Sequence, residues 1–144
     1  MNSKLTIMFI MLFSFTIYAD DFKYSISGKI FFNYEKPIHI FLVDEETSKK
    51  PFIGIDKLII MPNKKDISNG YTSYQFTNVK KGIYGIRCFQ DMNDNQQLDK
   101  GLFGPSEPWG LSWNENKTSK WPSFDNFCFE LSNDTNTIDI KLNK

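Results

Sequence analysis

Tyr74, Phe76, Val79, Tyr84 and Ile86, with Gly82 among them, put apolar residues on one side of two runs that flank Asn78 to Gly82, and nothing else in the chain restricts its fold as much. A period of two is the signature of a half-buried strand, and the intervening residues are turn formers, so the segment predicts a β-hairpin. The same period recurs in Tyr24-Ser25-Ile26-Ser27-Gly28-Lys29-Ile30-Phe31, and Ile38 to Val43 is a second apolar run after Pro37. Lys57 to Met61, Tyr71 to Phe76, Phe124 to Leu131 and Thr137 to Leu142 supply further strands, the last two separated by Ser132-Asn133-Asp134. About seven strands and no amphipathic helix of convincing length predict an all-β chain, an antiparallel two-sheet sandwich.

Composition fits one such domain. The chain has 144 residues, 40% of them hydrophobic and 14 of them Phe, enough apolar surface to offset conformational entropy. Seventeen basic and seventeen acidic side chains balance, and Arg87 is the single arginine. No basic stripe exists for nucleic acid, and no polybasic run for a membrane surface.

Residues 1–19 stand apart. Lys4 is their one charge, Leu5 to Tyr18 is almost unbroken apolar sequence, and Ala19 precedes Asp20-Asp21. This is the pattern of a secretory signal, and its apolar core of about 14 residues is short of the roughly 20 that a spanning helix needs. Cleavage after Ala19 leaves 20–144 as a single β-sandwich domain with no stable membrane span, exported to the periplasm, the cell surface or the medium. There a Cys88–Cys128 disulfide could form. The preferred alternative makes both cysteines small hydrophobes, since each lies within an apolar run.

Residues 91–123 carry no strand or helix period, too long for an ordinary connection. All three Trp, Trp109, Trp113 and Trp121, fall there, which argues for an ordered loop. At its start, Asp91, Asn93, Asn95 and Asp99 occupy positions 1, 3, 5 and 9 of a run in which the Gln97 carbonyl is a further oxygen. Alternating oxygen ligands suit calcium. Gln96 stands where an EF-hand places Gly, and Leu102 where it places Glu, so this is a different loop. Two readings stay open: a calcium staple, slightly preferred for the order of the spacing, and an Asx-rich turn held by its own hydrogen bonds. Further on, Glu107, Trp109, Ser112, Trp113 and Trp121 offer aromatic faces and polar groups to an envelope protein or a glycan. For each Trp the preferred reading is a small satellite core folded over one end of the sandwich.

The run Gly82-x-Tyr84-Gly85-Ile86, then Phe89-Gln90-Asp91-x-Asn93-x-Asn95-x-x-Leu98-Asp99, then Gly104, Glu107-Pro108-x-Gly110-x-Ser112 and Pro122-Ser123-Phe124, closely resembles the exported bacterial family called domain of unknown function 2141. The resemblance covers about residues 24–142. It implies a transthyretin-like or prealbumin-like β-sandwich outside the cytoplasm and supplies no reaction. Two positions depart from the family pattern: Asn95-Gln96 stands where Asn-Gly is usual, and Gln90 where His is usual.

Enzymatic motifs are sparse. The one imidazole, His39, lies on a strand between Ile38 and Ile40, and no Gly-rich phosphate loop, CxxC or HExxH occurs. Asp91, Asp99, Glu107 and Glu115 leave one enzymatic alternative, a glycan-directed hydrolase using loop carboxylates. The preferred reading is a non-enzymatic binding or structural module of the cell envelope.

Overall fold

A computed structural model describes residues 23–112, 122–133 and 135–143. The signal-like segment 1–19, Trp113, Glu115 and Trp121 lie outside the described residues. The chain is all-β in class, with two short α-helices among the described residues. No helix among the described residues is long and apolar enough to cross a membrane.

β1 (Tyr24–Phe31) buries Ile26 and Ile30, as its alternation predicts, and β2 (Ile38–Val43) is buried at every residue. Helix α1 (Glu45–Ser48) follows, capped by Asp44, whose carboxylate accepts the Thr47 N–H at 2.8 Å. β3 (Asp56–Ile60), helix α2 (Lys64–Asn69, capped by Asn63), β4 (Tyr71–Val79) and β5 (Gly82–Gln90) come next.

The expected β4–β5 hairpin is not one. β4 pairs antiparallel with β1, whereas β5 pairs with β2, so the turn after Asn78 (φ 59°) carries the chain from one sheet to the other. The apolar spacing is the same in both arrangements. Tyr74 and Phe76 meet Ile86 across a buried cluster that also takes Ile26, Ile30, Ile38, Ile40 and Leu42. Each such side chain contributes about 1.5–3 kcal/mol by leaving water.

The stretch 91–123 is less featureless than its sequence implies. It contains a small ribbon of β6 (Lys100–Gly101) and β7 (Gly104–Pro105), and then β8 (Trp109–Leu111), which pairs with β5. Phe124–Asn126 is a 3-10 turn rather than strand. The expected last pair of strands also divides: β9 (Cys128–Leu131) joins β5, while β10 (Thr135–Thr137) and β11 (Ile140–Lys141) both run parallel to β1. A purely antiparallel arrangement is therefore corrected. Between β10 and β11 the backbone crosses so close to Gly28 that a Cβ there would lie 1.9 Å from the Ile138 carbonyl oxygen.

The β2–β5 sheet has a second buried face. Phe41, Val43, Phe89, Leu98, Leu111 and Phe127 pack there, with Phe52, Trp109 and Phe124 against them. Cover on both sides explains why β2 and the end of β5 are buried at successive residues rather than at alternate ones. It also places the acidic loop, because β5 delivers Asp91 directly onto that outer face.

Candidate functional site

Backbone bonds fix the point where β5 ends. Gln90 donates its N–H to the Pro108 carbonyl at 2.8 Å, and Asp91 donates to the Pro37 carbonyl at 2.9 Å. The Asp91 side chain is 1% exposed, so its oxygens need donors from the protein. The loop itself supplies them: Oδ1 accepts the Asn95 N–H at 3.1 Å and Oδ2 the Gln96 N–H at 2.7 Å. Asn93 Oδ1 accepts the Asn95 N–H and Asn95 Oδ1 the Gln97 N–H, at 3.2 and 2.8 Å, a ladder of Asx turns. Two residues take left-handed backbone to make the curl, Asp94 at φ 61° and Gln96 at φ 62°.

The exposed side chains of this curl gather around Asp99. Asn93 Nδ2 donates to one Asp99 oxygen at 2.6 Å, and Asn95 Nδ2 to the other at 3.0 Å. Asn93, Asn95 and Asp99 thus share a centre. Asp91 lies beneath it, and Gln97 takes part through its backbone. Among the described residues, His, Cys, Asp and Glu side chains alone form no group able to hold a metal. A hard cation would draw on Asp99 and on the amide oxygens of Asn93 and Asn95, whose rotation towards it would exchange their bonds to the Asn95 and Gln97 N–H groups for metal contacts.

Glu107 is 4% exposed and clasps the loop at both shoulders. Its Oε1 accepts the Met92 N–H at 2.7 Å and its Oε2 the Asp99 N–H at 3.0 Å. The Asp99 carbonyl in turn accepts the Ser106 N–H at 2.8 Å. Asp91 and Glu107 therefore have every carboxylate oxygen engaged by backbone N–H groups. Such carboxylates fasten a loop, whereas a general acid or base needs an oxygen facing its substrate.

His39 lies on a strand, as its place between Ile38 and Ile40 predicts, and the fold gives it a neighbour. On β2 it registers with Phe89 and stacks on that ring at 4.9 Å, with Nε2 lying 3.5 Å from Asp91 Oδ2. Nδ1 is buried and has no hydrogen-bond partner among the described residues. Burial pushes the imidazole pKa below its ordinary value, Lys57 adds to that, and Asp91 opposes it. Parity carried the signal: His39 alternates with Ile38 and Ile40 and so shares Phe41's face. Gln90, fully buried, ties in the preceding turn by donating Nε2 to the carbonyls of Tyr34 and Lys36. Lys36 reaches Asp94 at 3.0 Å in an exposed pair of small energetic weight.

Trp109 is half-buried against the outer-face cluster, the satellite-core position. Ser112 stitches rather than reacts: its Oγ accepts the Ile86 N–H at 2.9 Å and donates to the Phe127 carbonyl. Among the described residues no disulfide joins Cys88 to Cys128. Cys88 belongs to the inner core with Ile86, while Cys128 registers with Gly85 and so faces the other side of the sheet. The two thiols therefore lie on opposite faces of the sheet.

No curated protein and no solved structure matches the chain. The family model described as an uncharacterized protein conserved in bacteria (DUF2141) matches residues 38–139. That span holds β2, the whole acidic loop, Glu107 and β9. By that match over most of its length, the chain belongs to the DUF2141 family of uncharacterized bacterial proteins.

Proposed function

We propose that the protein is an exported, non-enzymatic binding module of the bacterial envelope. In this reading it is a transthyretin-like two-sheet sandwich whose acidic loop takes calcium and whose Trp-bearing segment meets an envelope protein or a glycan. The observation that carries the non-enzymatic part is the engagement of Asp91 and Glu107, whose four carboxylate oxygens each accept a backbone N–H. The sandwich reading is supported by one buried cluster that draws on β1 and β4 from one sheet and β2 and β5 from the other.

Calcium is supported by the loop's own conformation. Calcium loops of the EF-hand type turn sharply at their sixth residue, usually Gly. Gln96 is that sixth residue and is left-handed at φ 62° despite its side chain. With a Kd of about 10⁻⁴ M, calcium at a hundred times that concentration would add about 2.7 kcal/mol of stability.

The test is thermal unfolding of the protein in millimolar calcium against chelator, with Asp99→Ala beside it. A calcium-dependent rise in Tm in the parent, absent from the variant, is expected. Equal midpoints in calcium and chelator remove the metal from the reading. Turnover of a glycan or peptidoglycan substrate that Glu107→Gln abolishes would overturn the non-enzymatic part. Export is checked by N-terminal sequencing of the protein recovered outside the cytoplasm, which should begin at Asp20.

A further inference from the structure

The outer face of the β2–β5 sheet is not sealed everywhere. Between the segment after α1 and the end of β5 lies a cavity of about 240 Å³. Phe41, Phe52, Phe89 and Leu98 give it apolar walls, and its charged lining consists of Lys49, Lys50, Arg87 and Lys100, with no carboxylate among the lining residues. An apolar chamber with charge of one sign is a selective environment. It favours a ligand that is part hydrocarbon and part anion.

Arg87 makes the positive field permanent. Its guanidinium donates to the carbonyls of Thr47, Ser48, Lys50 and Ile53, at 3.4, 3.3, 2.5 and 2.6 Å. Carbonyl dipoles stabilise the charge without cancelling it, and an arginine stays protonated even when burial lowers its pKa, as here. Its Cζ also lies 5.8 Å from the Phe41 ring centre, with Lys57 Nζ at 5.1 Å from the same ring. Lys49 and Lys50 are paired with Glu45 and Glu46 through exposed contacts of 3.0 and 2.9 Å, which are weak in water. Lys100 is exposed and makes no ion pair among the described residues.

Phe52 adds an independent sign. Its backbone is left-handed at φ 56°, a strained conformation for a non-glycine residue. It is held there with its ring edge-on to Phe89 at 6.0 Å. Strain retained in a residue that lines a cavity is characteristic of ligand clamps.

We propose that this cavity binds a small amphiphilic monocarboxylate, its hydrocarbon or aromatic body among Phe41, Phe52, Phe89 and Leu98 and its carboxylate at the mouth beside Lys100 and Lys49. The volume lies below the roughly 300–1,000 Å³ of sites for drug-sized molecules, which sets the ligand at the scale of a medium-chain acid. The site is separate from the calcium centre: Leu98 lies in the acidic loop but contributes only its apolar side chain.

Amide NMR titration of the protein with octanoate, and with 1-octanol as the uncharged match, tests this. Saturable shifts confined to residues 49–53, 87–89 and 98–100 are expected for octanoate, with octanol about tenfold weaker or worse. Lys100→Glu, at an exposed position that leaves the core intact, should weaken octanoate about tenfold and leave octanol unchanged. Absence of saturable shifts overturns the proposal. So does equal binding of acid and alcohol with no response to Lys100→Glu, because the cavity would then be an apolar gap without an anion site.

Discussion

His39 meets Asp91 where β2 and β5 pass into their loops, Nε2 to Oδ2 at 3.5 Å, with neither side chain more than 2% exposed. Burial and Lys57 depress the imidazole pKa more than Asp91 raises it, so the folded chain releases this proton at a lower pH than the unfolded chain. Below about pH 6.5 the unfolded state takes up the proton first. Stability is therefore complete above that pH and declines as pH falls towards the folded pKa. His39 is the single histidine, so the decline belongs to it. Urea midpoints at about pH 7.5 and 5.5 should fall in the parent and stay nearly level in His39→Phe, which keeps the stack on Phe89. A parallel fall in both proteins would assign the effect to another group.

Glu107 gives the acidic loop its frame. Glu107→Ala leaves the N–H groups of Met92 and Asp99 without their acceptor, at a cost of about 2–4 kcal/mol. Glu107→Gln keeps one acceptor oxygen and turns an NH2 towards the other N–H, so its loss should be smaller, about 1–3 kcal/mol. Chemical denaturation measures the totals. Hydrogen exchange gives the location: amides 92 and 99 should accelerate first. If Glu107→Ala unfolds at the parent's denaturant concentration, the clasp has no energetic weight.

Arg87 supports the segment that follows α1 from below. One guanidinium serves the carbonyls of Thr47, Ser48, Lys50 and Ile53, which a lysine cannot do with a single ammonium on a flexible stem. Arg87→Lys should cost about 2–4 kcal/mol and loosen residues 47–53 before the sheets. Limited proteolysis reports the second effect as early cleavage between Lys49 and Phe52. A variant cut no faster there than the parent would show that the loop holds itself.

The sequence exposes which side of each strand is buried far better than which strand it pairs with. β1 and β2 have the bounds their apolar patterns predict, and Tyr74, Phe76 and Ile86 all face the core. A period of two records only that facing. It is identical for a hairpin and for two strands that cross from sheet to sheet, which is why β4 and β5 read as one unit and fold into two. The parallel pairing of β10 and β11 leaves no local mark, because it is made with β1 far away in sequence, where the Ile138 backbone comes against Gly28. At the site, the spacing of Asp91, Asn93, Asn95 and Asp99 was legible since a tight curl makes near neighbours converge. The roles of His39 and Glu107 were not, because long-range packing alone sets them beside that curl.

Gln96 marks where the loop's conformation and its sequence disagree. Its φ of 62° costs a non-glycine residue about 1–2 kcal/mol, and its side chain is exposed, so little packing is lost on removing it. Glycine adopts this backbone freely but loses about 0.5–1 kcal/mol more entropy on folding. Gln96→Gly should therefore stabilise the protein by about 0.5 kcal/mol, while restoring the Asn-Gly pair usual in the resemblance described above. A pre-formed curl also binds a cation more tightly, since less of the binding energy goes into ordering the loop. The calcium-dependent rise in Tm should then be larger in Gln96→Gly than in the parent at the same calcium concentration. The two effects separate cleanly: stabilisation in chelator reports the backbone, and the additional shift in calcium reports the site. A variant stabilised in chelator with no response to calcium would keep the backbone argument and remove the metal. One less stable than the parent would show that Gln96's side chain holds the curl by a contact worth more than its strain.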